Sequence, residues 1–137
     1  MSDSIKFQRH ATWLGYLGII PFMAAGLLLT DLPAEEILLA IQAYGAIILT
    51  FIGAIHWGRA FNSNNSYLLL ISVIPSLFAW ASLLLPPAYG LPLLVICLLA
   101  VATFDAKQYH QLAWFRLLRI KLTFIVCSLL TISWLLS

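Results

Sequence analysis

The chain has 137 residues, of which 63% are hydrophobic and 9% charged, and its net charge is +2. A soluble domain carries about 25% charged residues, and a body this small has too much surface for its volume to hide so apolar a sequence from water. The composition excludes a water-soluble globule, and the lack of a basic tract or aromatic ladder excludes a nucleic-acid binder; the expected partner is a lipid bilayer.

Five apolar segments are expected as membrane helices, at about 11–29, 37–57, 67–85, 89–104 and 117–136, since about 20 residues of helix cross a hydrocarbon core. The first follows Lys6 and Arg9. Its apolar run is longer than the roughly 7–15 residues of a secretory leader core, so an uncleaved first span is expected. Pro21 lies inside it and Pro75 inside the third segment. Each lacks a backbone donor and predicts a kink. Asp31 and Pro33 end the first segment, and Glu35 and Glu36 suit the first turn of the second. The polar run 62–66 separates segments two and three, and Pro86 and Pro87 stop the third. Segment four is short, which predicts thinned or protein-filled surroundings at its ends. In the link 105–116, Tyr109, Leu112, Ala113, Trp114 and Phe115 predict a stretch lying along the headgroups. Cys97 and Cys127 sit singly in apolar segments and are read as small buried residues rather than a disulfide.

All seven Lys and Arg residues fall at one end of these segments. Lys6, Arg9, Arg59, Lys107, Arg116, Arg119 and Lys121 therefore predict a cytoplasmic N-terminus and an outer C-terminus. The architecture expected is a single all-α domain over 1–137, a bundle of five transmembrane helices.

Lipid-embedded helices associate through small residues. Segment two has Ala46, Thr50, Ala54 and Gly58 at four-residue spacing, with Gly45 and Gly53 beside them. This predicts the packing face and places segment two at the bundle's centre. Weaker small faces include Gly15 and Gly18 in segment one, Ser72, Ser76 and Ala79 in segment three, and Thr123, Cys127 and Thr131 in segment five.

His10, His56, Arg59, Asp105, His110, Arg116 and Arg119 come at one depth, with Trp13, Trp57 and Trp114 at the same level. One reading is an interface belt of aromatic anchors and snorkelling cations. The other is a pocket open to the cytoplasmic leaflet, lined by His56, Trp57, Arg59, Asp105, Trp114, Arg116 and Arg119. Arg116, Arg119, Thr123 and Cys127 share one helix face. A carboxylate at the depth of Asp105 needs a partner, with Arg119 and Arg59 as candidates. Such a cluster suits an anionic lipid headgroup, a carboxylate or a quinone ring. The histidines lack the spacing of a metal site, no catalytic or nucleotide fingerprint is present, and no metal or cofactor is expected.

The segment-two stretch Tyr44-Gly-Ala-Ile-Ile-Leu-Thr-Phe-Ile-Gly-Ala-Ile-His-Trp-Gly58 resembles the signature of an uncharacterised membrane family, domain of unknown function 3429. The resemblance extends through Leu14-Gly15, Ile20-Pro21-Phe22, Pro75-Ser76, Trp80, Asp105, the run Trp114-Phe115-Arg116-Leu117-Leu118-Arg119 and Leu122-Thr123. One departure is Ala54, where a second glycine is common in the pattern. The resemblance implies that position 56 can be His or Arg, which favours a hydrogen-bonding cation there over a proton carrier. It implies a bacterial cytoplasmic (inner) membrane protein, or a mitochondrial inner-membrane one by descent, and no established activity.

The leading expectation is a non-enzymatic membrane protein that binds a lipid-like or anionic ligand, such as a lipid or quinone, or serves as accessory subunit of a larger membrane complex. The alternatives are a small oligomeric transporter or channel, and a membrane enzyme acting on a lipid or quinone. A homo-oligomer is open under either reading.

Overall fold

In a computed structural model of the chain, every regular element among the described residues is a helix. The structure describes residues 2–28, 33–108 and 112–137. Asp31, Tyr109 and His110 lie outside the described residues. The helices are α1 (Ser2–Leu17), α2 (Ile20–Leu28), α3 (Ala34–Ser63), α4 (Ser66–Leu83), α5 (Pro87–Gln108) and α6 (Ala113–Leu135). Of these, α3, α4 and α5 are each long and apolar enough to cross a membrane. Large apolar side chains such as Leu27, Phe51, Phe78, Tyr89 and Phe124 stand exposed around the bundle, as a lipid-facing surface requires.

The first expected segment is divided. Its break falls at Gly18–Ile19, so Pro21 sits in the first turn of α2, where its missing N–H costs nothing. The Tyr44 hydroxyl of α3 donates to the Gly18 carbonyl at 2.9 Å and pins the break to the bundle. Pro75, in contrast, lies within a continuous α4. The α3–α4 turn is sharp because Asn64 adopts a left-handed conformation (φ 50°) and the Asn65 side chain accepts from the Tyr67 N–H at 3.0 Å. Segment four is longer than expected. Pro87 opens α5 instead of belonging to a stop, and the helix runs on to Gln108. Ala113, Trp114 and Phe115 form the first turn of α6, not a stretch along the headgroups.

α3 is the hub, packing against α2, α4, α5 and α6. Its buried face runs through Gln42, Ala46, Leu49, Gly53, His56 and Ala60, with Gly45 alongside. This corrects the expected packing stripe. Gly45, Ala46 and Gly53 are buried as expected, but Thr50, Ala54 and Gly58 are exposed. The reason is geometric. Strict four-residue steps advance about 40° per step around a helix of 3.6 residues per turn, and so walk off one face. Alternating four- and three-residue steps stay on it. The buried residues of α4 (Leu68, Ser72, Pro75, Ala79, Ser82) follow the same alternation.

At the end away from the basic residues, the two prolines create a specific demand. Residues 82 and 83 would receive helical N–H bonds from positions 86 and 87, both proline. Gln42 answers it. Its Nε2 donates to the Ser82 carbonyl at 2.5 Å and the Leu85 carbonyl at 3.0 Å. Gly90 makes room: a Cβ there would overlap the Gln42 amide and lie 2.7 Å from the Ser82 carbonyl oxygen. Gln42→Leu keeps the bulk but removes the side-chain donor from the buried Ser82 carbonyl, which keeps only the Leu85 N–H at 3.2 Å, and from the part-buried Leu85 carbonyl. It is expected to cost about 1–3 kcal/mol, read as a lowered melting temperature of the detergent-solubilised protein.

Candidate functional site

Three core stripes end in polar residues at the basic end of the bundle. The α3 stripe reaches His56, the α5 stripe Leu91, Leu94, Leu98 reaches Asp105, and the α6 stripe leading to Thr123, Val126 and Leu130 starts at Arg119. α3 and α5 finish at this end and α6 begins there, so chain direction alone brings the three residues together.

Asp105 is the centre. Its Oδ1 lies 2.6 Å from His56 Nε2. Its Oδ2 accepts from Arg119 Nη2 at 2.5 Å and Nε at 3.1 Å. A carboxylate only accepts, so His56 carries a proton on Nε2. Phe104, the preceding residue on α5, sets its ring against the His56 imidazole edge-on, with centroids 5.1 Å apart. His56, Asp105 and Arg119 are 1%, 3% and 7% exposed. In so dry a place the carboxylate and guanidinium are tolerable only as a bonded pair.

The expected site is thus partly assembled. His56, Asp105 and Arg119 meet. Trp57 does not join them; it is exposed and stacks obliquely on Phe61. Arg116 is half-buried and makes no ion pair among the described residues. Trp114 packs edge-on against Phe7 of α1 and against Phe115. Arg59 is half-buried; of the two partners expected for Asp105, Arg119 is the one that forks onto it. His10 is exposed, with its Nδ1 2.7 Å from the Lys6 carbonyl of its own helix. Among the described residues no group of three metal-ligating side chains converges.

Beside the triad lies a cleft of about 320 Å³ between α1–α2 on one side and α3 and α6 on the other. Its walls are almost entirely apolar, with Arg119, Thr123 and Tyr44 as the polar side chains. Leu14, Ile47 and Phe51 form an exposed rim, so it opens on the lipid-facing surface. Gly15 allows the close approach of α1 to α6 along one edge; a Cβ there would stand 2.7 Å from Leu122. The cleft is not legible in the sequence because it belongs to no single segment. The glycines at 15 and 18 were the available hint.

The family model described as "Protein of unknown function (DUF3429)" matches residues 7–135. The chain belongs to this family. Among curated relatives, Transmembrane protein 69 of Xenopus tropicalis is 40% identical over 83 residues, covering 56% of this chain and 33% of that protein. Transmembrane protein 69 of Mus musculus is 30% identical over 127 residues, covering 85% of this chain and 52% of that protein. The chain thus spans a third to a half of the length of these relatives. No solved structure matches. The family gives a membrane protein and assigns it no activity.

Proposed function

We propose that the chain is a non-enzymatic membrane protein that holds a lipid-like molecule in the cleft beside Arg119. The observation that carries this reading is the cleft itself. It is apolar, opens sideways toward lipid, and has the buried Arg119 in its wall. Ligand sites have this make-up, mostly apolar walls with a few placed polar groups.

In this reading α1–α2 together and α6 join α3, α4 and α5 to make five spans. The basic end faces the cytoplasm of a bacterium, or the matrix if the membrane is the mitochondrial inner membrane. His56 and Asp105 act through Arg119: they hold its guanidinium at the cleft and take no part in turnover.

Native mass spectrometry of the gently extracted protein, with lipid analysis of what it releases, tests the reading. A retained lipid or quinone is expected in the wild type. It should be lost from Ile48→Trp, which fills the cleft with an indole. A wild-type protein that carries no lipidic species, from membranes rich in them, would sink the proposal.

A further inference from the structure

If the cleft is a lipid site, as proposed above, its polar wall also selects the chemistry of the lipid. Thr123 is 6% exposed and lines the cleft. Threonines elsewhere in these helices turn their hydroxyls back onto their own helix: Thr12 onto the Gln8 carbonyl, Thr50 onto Ala46, Thr103 onto Ala100 and Thr131 onto Cys127. Thr123 does not; its hydroxyl has no hydrogen-bond partner among the described residues. Arg119, one helical turn away on the same face, directs Nε and Nη2 at Asp105 and leaves Nη1 without an acceptor among the described residues. The cleft therefore offers hydrogen-bond donors from two adjacent side chains to whatever fills it.

The charge balance says what kind of acceptor fits. Arg119 is already matched one-for-one by Asp105, and among the described residues no other Lys, Arg or His lines the cleft. A phosphate or carboxylate headgroup would stand beside the Asp105 carboxylate with no unmatched cation in the cleft's lining to balance it, in surroundings that screen poorly. A neutral oxygen acceptor carries no such cost. We infer that the cleft recognises the uncharged carbonyl oxygen of a lipid, held by the Thr123 hydroxyl and Arg119 Nη1, with the apolar chain lying toward the rim. Two sources share this chemistry, an isoprenoid quinone and an acyl ester.

The test uses the full chain in detergent and four probes with the same ten-carbon chain: a decyl-substituted benzoquinone, methyl decanoate, decyl phosphate and decane. Affinities are measured by native mass spectrometry titration. The quinone, the ester or both should bind more tightly than decyl phosphate and decane, and their order identifies the source. Thr123→Val keeps the side-chain shape and should weaken the carbonyl probes about three- to tenfold, the worth of one neutral hydrogen bond, while leaving decane unchanged. Thr123→Ser keeps the hydroxyl and should restore them, which separates a lost hydrogen bond from a disturbed fold. If decyl phosphate binds best, or Thr123→Val leaves the carbonyl probes unaffected, the carbonyl assignment is wrong while the cleft remains a lipid site. If none of the four probes binds, decane included, the lipid site itself falls and the carbonyl assignment with it.

Discussion

Asp105→Asn is expected to leave the chain unable to accumulate as a folded membrane protein. The substitution removes one charge but keeps the volume, so the loss is electrostatic. Arg119 would remain 7% exposed, with its forked bonds to Oδ2 reduced to whatever a neutral amide can accept. Breaking a buried pair by removing one partner costs about 3–5 kcal/mol, against about 5–15 kcal/mol for a whole folded domain. The amide also offers one oxygen where the carboxylate offered two, so either His56 Nε2 or the Arg119 fork must face an NH2 donor. The companion variant is more telling. Asp105→Leu combined with Arg119→Leu replaces the pair by apolar bulk, and such replacements are often neutral or stabilising. The double variant should recover most of the folded yield lost by Asp105→Leu alone. Fluorescence-detected size-exclusion chromatography of a tagged protein, followed by a thermal challenge, reads both. Wild-type yield and melting temperature in Asp105→Asn would show that the triad does not hold the helices together. The same double variant should fold and yet hold the lipid expected in the cleft more weakly, because Arg119 is one of the two polar donors in that wall.

The membrane class and the central place of α3 were legible in the sequence, because hydropathy and small-residue content are properties of single segments. The Asp105–Arg119 pair was half legible. Both residues stood at the right level, and a carboxylate there demands a cation. The His56–Asp105 bond was not, since 49 residues separate the two and nothing in one sequence says that α3 and α5 are neighbours. Gln42 shows a different gap. The proline pair at 86 and 87 announced missing donors, but finding the side chain that replaces them requires knowing which helix faces α4. The N-terminal half of α1 escaped because Ser2–Arg9 is polar, and hydropathy registers only the apolar part of a helix. The break at Gly18 was misplaced onto Pro21 because proline disturbs the turn before it, not its own position.

Gly53→Leu is expected to be the most damaging small-to-large change on α3, and Gly58→Leu close to silent. The two glycines lie five residues apart in the same helix, and both belong to the small-residue pattern of segment two. Their surroundings differ completely. A Cβ at Gly53 would lie 2.8 Å from Pro75 Cγ, 2.9 Å from Pro75 Cβ and 3.1 Å from the Ser72 carbonyl oxygen. A pyrrolidine ring cannot rotate aside and a helix carbonyl cannot retreat, so α4 itself must move. At Gly58 a Cβ would meet nothing within 4 Å. Overpacking a tight contact by even one carbon costs about 1–3 kcal/mol. Gly53→Ala should fall in that range, and Gly53→Leu should exceed it because the side chain has nowhere to go. Helices in lipid gain little from the hydrophobic effect between them and depend on close backbone approach, so separating α3 from α4 removes the very contact that Gly53 permits. Pro75→Ala should partly rescue Gly53→Ala, since it removes the colliding Cγ, while the Cβ at 2.9 Å and the Ser72 carbonyl stay in place. A thermal-stability double-mutant cycle on the detergent-solubilised protein measures that coupling. Equal melting temperatures for Gly53→Leu and Gly58→Leu would mean that α3 packs on the strict four-residue stripe of Thr50, Ala54 and Gly58, with Gly53 turned away from α4.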